Sequence, residues 1–262
     1  MGQPVQARPK RGSRAVRALG VLGIAVVLGA GGIVAARAAL PGPATEETLA
    51  FDLQAPRLAV EVGSGAVTLH RADGDRVEVR RTVRSRGVEP RLEEESSAEG
   101  VRLAAECPWA FGASCTVDYD VRVPDDVALE VRTSSGDVTL GGLAAAAVDV
   151  RVSSGAVHLA DLRGPIVVEA SSGDVVGERL DTPSFSATAS SGEVRADFAS
   201  TPGEVAIVAS SGDVEVALPA GSYRVEAATD SGDERVAVPV DAAAAAVVRV
   251  EVGSGDVEVR PR

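Results

Sequence analysis

The chain has 262 residues, of which 45% are hydrophobic and only 3% aromatic, with two Cys, two His and 28 Gly. That length allows one or two domains, and the scarcity of large rings points to a core of Val, Ala and Leu. A net charge of −12 argues against a nucleic-acid partner.

The charge is unevenly placed. The six charged residues among the first 40 are all basic (Arg8, Lys10, Arg11, Arg14, Arg17 and Arg37), which leaves 20 basic and 38 acidic side chains, a net of −18, for residues 41–262. Residues 1–17 read as a cytoplasmic basic tail. From Ala18 to Ala36 run 19 residues of Ala, Leu, Val, Ile and Gly without a charge. At about 1.5 Å per helical residue this reaches roughly 28 Å, close to the hydrocarbon thickness of a bilayer. Residues 18–36 are therefore expected to form a transmembrane helix. With five cations before it and only Arg37 after it, the N-terminus is placed in the cytoplasm and the C-terminal bulk outside. An uncleaved signal anchor is the favoured form, because the run exceeds the roughly 7 to 15 residues of a signal h-region. A cleaved signal peptide, using the small residues around Ala36-Arg37-Ala38, is the alternative. Both export the remainder. Residues 37–48, with Pro41, Gly42 and Pro43, read as a juxtamembrane linker, and residues 49–262 as the exported domain.

That domain repeats. A small residue, Ser, Gly, usually an acid and then usually Val occur together at Gly65, Gly136, Gly155, Gly173, Gly192, Gly212, Gly232 and Gly255, with spacings of 19, 18, 19, 20, 20 and 23 from Gly136 onward. Two residues after each Gly stands Val, except for Glu234; further apolar columns lie four after, and five and seven before. Each pair of columns is two residues apart, the period of a strand with one buried face. Out-of-phase residues such as Arg132, Arg151, Glu169 and Glu251 are expected in water. A further apolar column follows at Leu143, Leu162, Leu180, Phe198 and Leu218. One equivalent turn per period favours an all-β, parallel β-solenoid whose coils stack at roughly 4.8 Å, over a meander of antiparallel hairpins. At each corner Gly supplies a positive φ. Residues 129–262 form the regular repeats and 49–128 an irregular N-terminal part. In the latter, Arg76–Arg80 and Cys115–Pro124 alternate as cap strands, and the charged stretch Arg91–Glu99 reads as an exposed loop.

Cys107 and Cys115, in an exported chain, are expected to pair as a disulfide; two buried free thiols are the alternative. Zinc is disfavoured by the spacing. Stacked corners would align Asp137, Asp174, Glu193, Asp213, Asp233 and Asp256 into a carboxylate ladder, interrupted by Ala156. Calcium could relieve its repulsion; alternatively, each acid caps its own turn. No catalytic residues are assigned: His70 and His158 fall on outward strand positions, and serine recurs at every turn because turns favour it. A polysaccharide-acting β-helix enzyme is the catalytic alternative, but aromatic residues for a sugar groove are few.

The run Val117–Pro124, then Leu129-Glu130-Val131-Arg132-Thr133-Ser134-Ser135-Gly136-Asp137-Val138, and the repeated Ser-Ser-Gly-acid turns behind an apolar N-terminal segment together resemble a bacterial family of β-strand-repeat domains related to the toast-rack domains of envelope-stress proteins. Over roughly Leu49 to Val259 the resemblance implies an exported, right-handed β-helix-like domain, without an established catalytic site. The function expected is a non-catalytic scaffold, adhesion or stress-sensing module at the cell envelope. Its partners would be the membrane and an envelope protein, a wall polymer or a second copy of the chain, with no nucleic acid and no required cofactor.

Overall fold

The computed structural model describes residues 44–262. The basic tail, the expected transmembrane helix Ala18–Ala36 and the first part of the expected linker lie outside the described residues. Within them the chain forms strands and turns, and no helix is long and apolar enough to cross a membrane.

In chain order the strands are β1 (Ala44–Asp52), β2 (Arg57–Val62), β3 (Val67–Arg71), β4 (Arg76–Arg86), β5 (Arg91–Ser97), β6 (Gly100–Glu106) and β7 (Ser114–Val123). The repeats follow as β8 (Ala128–Ser135), β9 (Val138–Gly141), β10 (Ala147–Ser154), β11 (Val157–Ala160), β12 (Ile166–Ser172), β13 (Val175–Leu180), β14 (Ser184–Ser191) and β15 (Val194–Phe198). The last are β16 (Glu204–Ser211), β17 (Val214–Leu218), β18 (Arg224–Thr229), β19 (Glu234–Val236), β20 (Val247–Ser254) and β21 (Val257–Pro261).

Each repeat is one coil that places its longer strand in a ten-stranded sheet and its shorter strand in an eleven-stranded sheet. Successive coils pair in parallel and in register: Val131↔Val150↔Val168↔Ala187↔Ile207 in the first sheet, and Val138↔Val157↔Val175↔Val194↔Val214 in the second. This is the pairing of the expected solenoid and not of the alternative hairpin meander. Antiparallel pairing is confined, among the named strands, to β1 with β4, β4 with β7, and β5 with β6. The apolar columns of the sequence are the two inner faces. Leu129, Val131, Val148, Val150, Val157 and Leu159 are all buried, and β-branched side chains suit so narrow an inter-sheet space because they are stiff and short. The wider places are filled by rings, with Phe185 and Phe198 edge to face at 5.8 Å between centroids.

Stacking order departs from chain order at both ends. The coil β2–β3 lies between β6–β7 and β8–β9, so the 71 residues from Gly65 to Gly136 are an excursion outward and back. At the other end β20–β21 lies between β16–β17 and β18–β19. The outermost coil β18–β19 is thus held only by the last one in the chain. This explains Glu234, the exception in the Val column: it sits on the edge strand β19, exposed. Val225 and Ala227, on β18, are likewise only partly buried.

Two segments differ from expectation. The expected linker 37–48 ends early, because Ala44–Thr48 belong to β1, which covers the free edge of β4; its mostly exposed, polar residues carry no alternation to reveal a strand. The expected loop Arg91–Glu99 instead contains β5, pairing Arg91–Ser97 with Gly100–Glu106. Its inward positions are Leu92, Glu94 and Ser96, and the buried acid hides the apolar period. Glu94 accepts a hydrogen bond from Tyr119 Oη at 2.7 Å and pairs with Arg81, which also pairs with Glu47. This polar cluster joins the two sheets at the N-terminal end of the core.

Candidate functional site

The corners come first, because they set what the outer face presents. Each corner Gly has φ between +119° and +148°, a region that side chains avoid. A second constraint is stacking: a Cβ on Gly136, Gly155, Gly173, Gly192 or Gly212 would lie 2.0–2.2 Å from the carbonyl oxygen of the corner Gly one coil away. The backbone runs through the corner as a hydrogen-bonded ladder, for example Gly155 N–H to Ser172 O at 3.1 Å and Val157 N–H to Asp174 O at 2.8 Å.

The corner acids serve the neighbouring coil rather than their own turn. Asp137 Oδ1 accepts from Ala156 N–H at 2.9 Å, Asp174 from Glu193 at 2.9 Å, Asp213 from Asp256 at 2.8 Å, and Asp256 from Asp233 at 2.8 Å. Asp118, on β7 of the cap, does the same for Ala66 at 3.0 Å; it lies outside the repeat motif, which is why the motif does not reveal it. Glu193 pairs instead with Arg195. Among the described residues no three His, Cys, Asp or Glu side chains are placed to hold a metal ion. Asp137, Asp174, Asp213 and Asp256 thus each hold an inter-coil backbone bond. Asp174→Ala is expected to lower stability by about 0.5–1.5 kcal/mol, equally in calcium and in chelator. Chemical denaturation in both conditions checks this; a gap between them would restore an ion to the ladder.

A second corner occurs six residues after the first. Gly142, Asp161 and Arg179 occupy it with φ of 68°, 54° and 52°, so one left-handed position is filled by three different residue types. Asp161 and Arg179 are joined by two hydrogen bonds, at 2.8 and 2.7 Å. The Arg179 hydrogen bond is the main reason the Asp161 carboxyl is held below its ordinary value.

The outer face of the ten-stranded sheet is the richest surface in polar groups. The first serine of each corner, at Ser134, Ser153, Ser171, Ser190 and Ser210, stands exposed on successive strands, so hydroxyls recur at roughly 4.8 Å. Beside them run Arg132, Arg151, Glu169 and Thr188, one per coil. Near the cap this face forms an open groove of about 780 Å³ with Arg91, Glu93 and Arg102 on its wall. Its charges answer one another: Arg151 meets Asp149 at 3.0 Å and Glu169 at 3.2 Å, and Arg102 meets Glu61 at 3.0 Å. The charge of Asp149, joined by Glu169, holds the Arg151 guanidinium above its ordinary value. Such an arrangement can recognise a polar, extended ligand through many weak contacts. His70 and His158 lie elsewhere, exposed on strands of the other sheet.

The third feature is a loop of the cap. Cys107 and Cys115 are joined by a disulfide, with Cα atoms 5.6 Å apart. The loop they close carries Trp109 and Phe111, which are 88% and 95% exposed.

The family model described as Toastrack DUF4097 matches residues 49–260. Among solved structures, the chain is similar to a candidate adhesin from Bacteroides fragilis NCTC 9343, at 7% identity over 83% of this chain and 97% of that one, with a TM-score of 0.43. It is also similar to a candidate cell adhesion protein from Clostridium sporogenes ATCC 15579, at 10% identity over 84% of this chain and 100% of that one, with a TM-score of 0.36. A candidate adhesin from Parabacteroides merdae ATCC 43184 matches at 13% identity over 84% of this chain and 97% of that one, with a TM-score of 0.30. No curated protein matches the chain.

Proposed function

The chain belongs to the Toastrack DUF4097 family, and from that premise we propose that it is a non-catalytic interaction module of the cell envelope, serving adhesion or stress sensing. Residues 18–36 anchor it as a single transmembrane helix, with the N-terminus cytoplasmic and the β-strand stack outside. The apolar run, the cation bias and a disulfide suited to an oxidising compartment support this placement. The observation that carries the binding role is the outer face of the ten-stranded sheet, where a hydroxyl row and a charged row repeat coil after coil. A surface of that kind binds by repetition, so its ligand is an envelope protein or wall polymer extended along the stack.

The test is capture of envelope components by the full chain in detergent. Retention is expected to fall several-fold in Arg132→Gln/Arg151→Gln, with stability lowered by no more than about 1–2 kcal/mol through the lost ion pairs of Arg132 with Glu130 and of Arg151 with Asp149 and Glu169, and each single variant is expected to give a partial loss. One point variant that abolishes retention would contradict a distributed surface.

The second reading, a polysaccharide-acting enzyme, draws on the gathering of Arg and acids in the groove. It requires an Arg able to act as base, whereas Asp149 and Glu169 hold Arg151 in its protonated form. Release of glycan fragments from envelope extract by the full chain, with no partner retained, would favour the enzyme.

A further inference from the structure

Trp109 and Phe111 project almost fully exposed from a loop that a disulfide closes at its base. Two large rings left in water on an otherwise aromatic-poor molecule call for a partner. Within the loop, Gly112 adopts φ 73° and Ala113 N–H bonds to Ala110 O at 3.1 Å. From Cys107 to Cys115 the loop carries no charge, so it can leave water without stripping a charged group of its solvent. Neither ring lines the groove of the ten-stranded sheet.

The strand register says what lies nearby. Ala44, at the start of β1, is opposite Arg84 of β4, and Arg84 is opposite Thr116 of β7, one residue beyond Cys115. The point where the chain enters the domain is therefore two strand spacings, roughly 10 Å, from the base of the aromatic loop. Seven residues, 37–43, separate Ala44 from the apolar run that ends at Ala36. Even fully extended, that connection spans only about 25–30 Å.

We propose that the Cys107–Cys115 loop is a membrane-interface contact, in which Trp109 and Phe111 enter the headgroup region of the bilayer that holds the chain's own N-terminal segment. Trp is the side chain best suited to that region, having an apolar ring and one N–H donor for the wet side. The loop gives the domain a second point of attachment, which fixes the tilt of the strand stack over the membrane. This inference rests on the anchor reading of residues 18–36.

Trp109 is the only tryptophan of the chain, so its fluorescence reports on this loop alone. The full chain is reconstituted into phosphatidylethanolamine and phosphatidylglycerol vesicles, with acyl chains brominated near the headgroup end in one set. For rings seated about 5–10 Å deep, the brominated lipid is expected to quench roughly half of the emission. Iodide present on both sides of the vesicle is expected to quench at least about threefold less than it quenches free N-acetyltryptophanamide, a contrast that follows from the same burial. Phe111→Ser, which removes one of the two anchoring rings, is expected to weaken the bromolipid quenching by about twofold or more. Retention of the chain in the vesicles after alkaline carbonate tests the anchor separately. If the chain is retained but Trp109 is open to iodide and untouched by brominated lipid, the loop contact is overturned while the anchor stands, and the rings are left to a protein partner. A chain extracted by carbonate overturns both.

Discussion

Gly173→Ala is expected to cost about 4 kcal/mol or more, and to lower the melting temperature by at least about 10 °C. Two effects coincide at this position. Its φ of +128° strains any residue with a Cβ, and the added carbon would stand 2.0 Å from the Gly155 carbonyl oxygen. That oxygen belongs to the backbone of the next coil and cannot swing aside as a side chain would. Relief requires the two coils to part locally, which loosens the ladder bonds on both sides. The same substitution elsewhere serves as the control. At Gly141, on β9, an added Cβ meets nothing closer than His70 Nδ1 at 3.7 Å, and no positive φ is present. Gly141→Ala is expected to be neutral or to stabilise by up to about 1 kcal/mol through the unfolded chain. Comparable losses from both variants, in denaturant unfolding, would mean that stacking at the corner is not the constraint.

Glu94→Ala is expected to destabilise the domain by about 3 kcal/mol. Arg81 and Glu94 are both about nine-tenths buried as side chains, and removing one member of a buried pair leaves the other charge without compensation. Glu47, about half exposed, still reaches Arg81, which keeps the loss at the low end of that range. Replacing the buried groups together, as Arg81→Leu/Glu94→Leu/Tyr119→Phe, is expected to recover most of the stability, since apolar side chains of similar volume avoid the desolvation cost. The cluster also has a pH signature. Burial, and then the hydrogen bond to Glu94, push the Tyr119 phenol well above its ordinary value. The folded state keeps this proton while the unfolded chain releases it at about pH 10. The contribution is therefore complete below that pH and is lost as pH rises, by about 1.4 kcal/mol per pH unit. Tyr119→Phe is expected to remove that part of the alkaline slope; an unchanged slope would dissociate it from Tyr119.

How much of this is legible in the sequence depends on whether a position means the same thing in every coil. The inward columns do, so Val131, Val150 and Val168 mark both the strands and the face they bury. The first corner does as well, because only Gly tolerates the stacked carbonyl beneath it. The second corner does not: Gly142, Asp161 and Arg179 share a backbone conformation and nothing else, and the sequence displays one turn per period where there are two. Coil order is hidden for another reason. The corner around Gly255 has the same motif whether its coil stacks next or is inserted beneath its predecessor, and Glu234 is the trace left by the edge position. In the cap, β5 is obscured by Glu94, an acid that faces inward with partners supplied by two other strands. Of the candidate site, the outward phase of Arg132, Arg151 and Glu169 can be read along each strand. The groove they line cannot, because its wall comes from the excursion that carries β5 and β6.

The threading at the two ends governs how such a molecule can change size. Beside β21 there is no free edge, since it already lies between β17 and β19, and the free edges at that end belong to β18 and β19. At the opposite end, β2–β3 is likewise enclosed, and the free edges there belong to the charged strands β1 and β5. A coil duplicated in the middle, between Ala147 and Leu218, disturbs neither closure and adds roughly 4.8 Å of height. The stack is in this sense a ruler graduated in its middle, and its reach is set by the count of its interior coils.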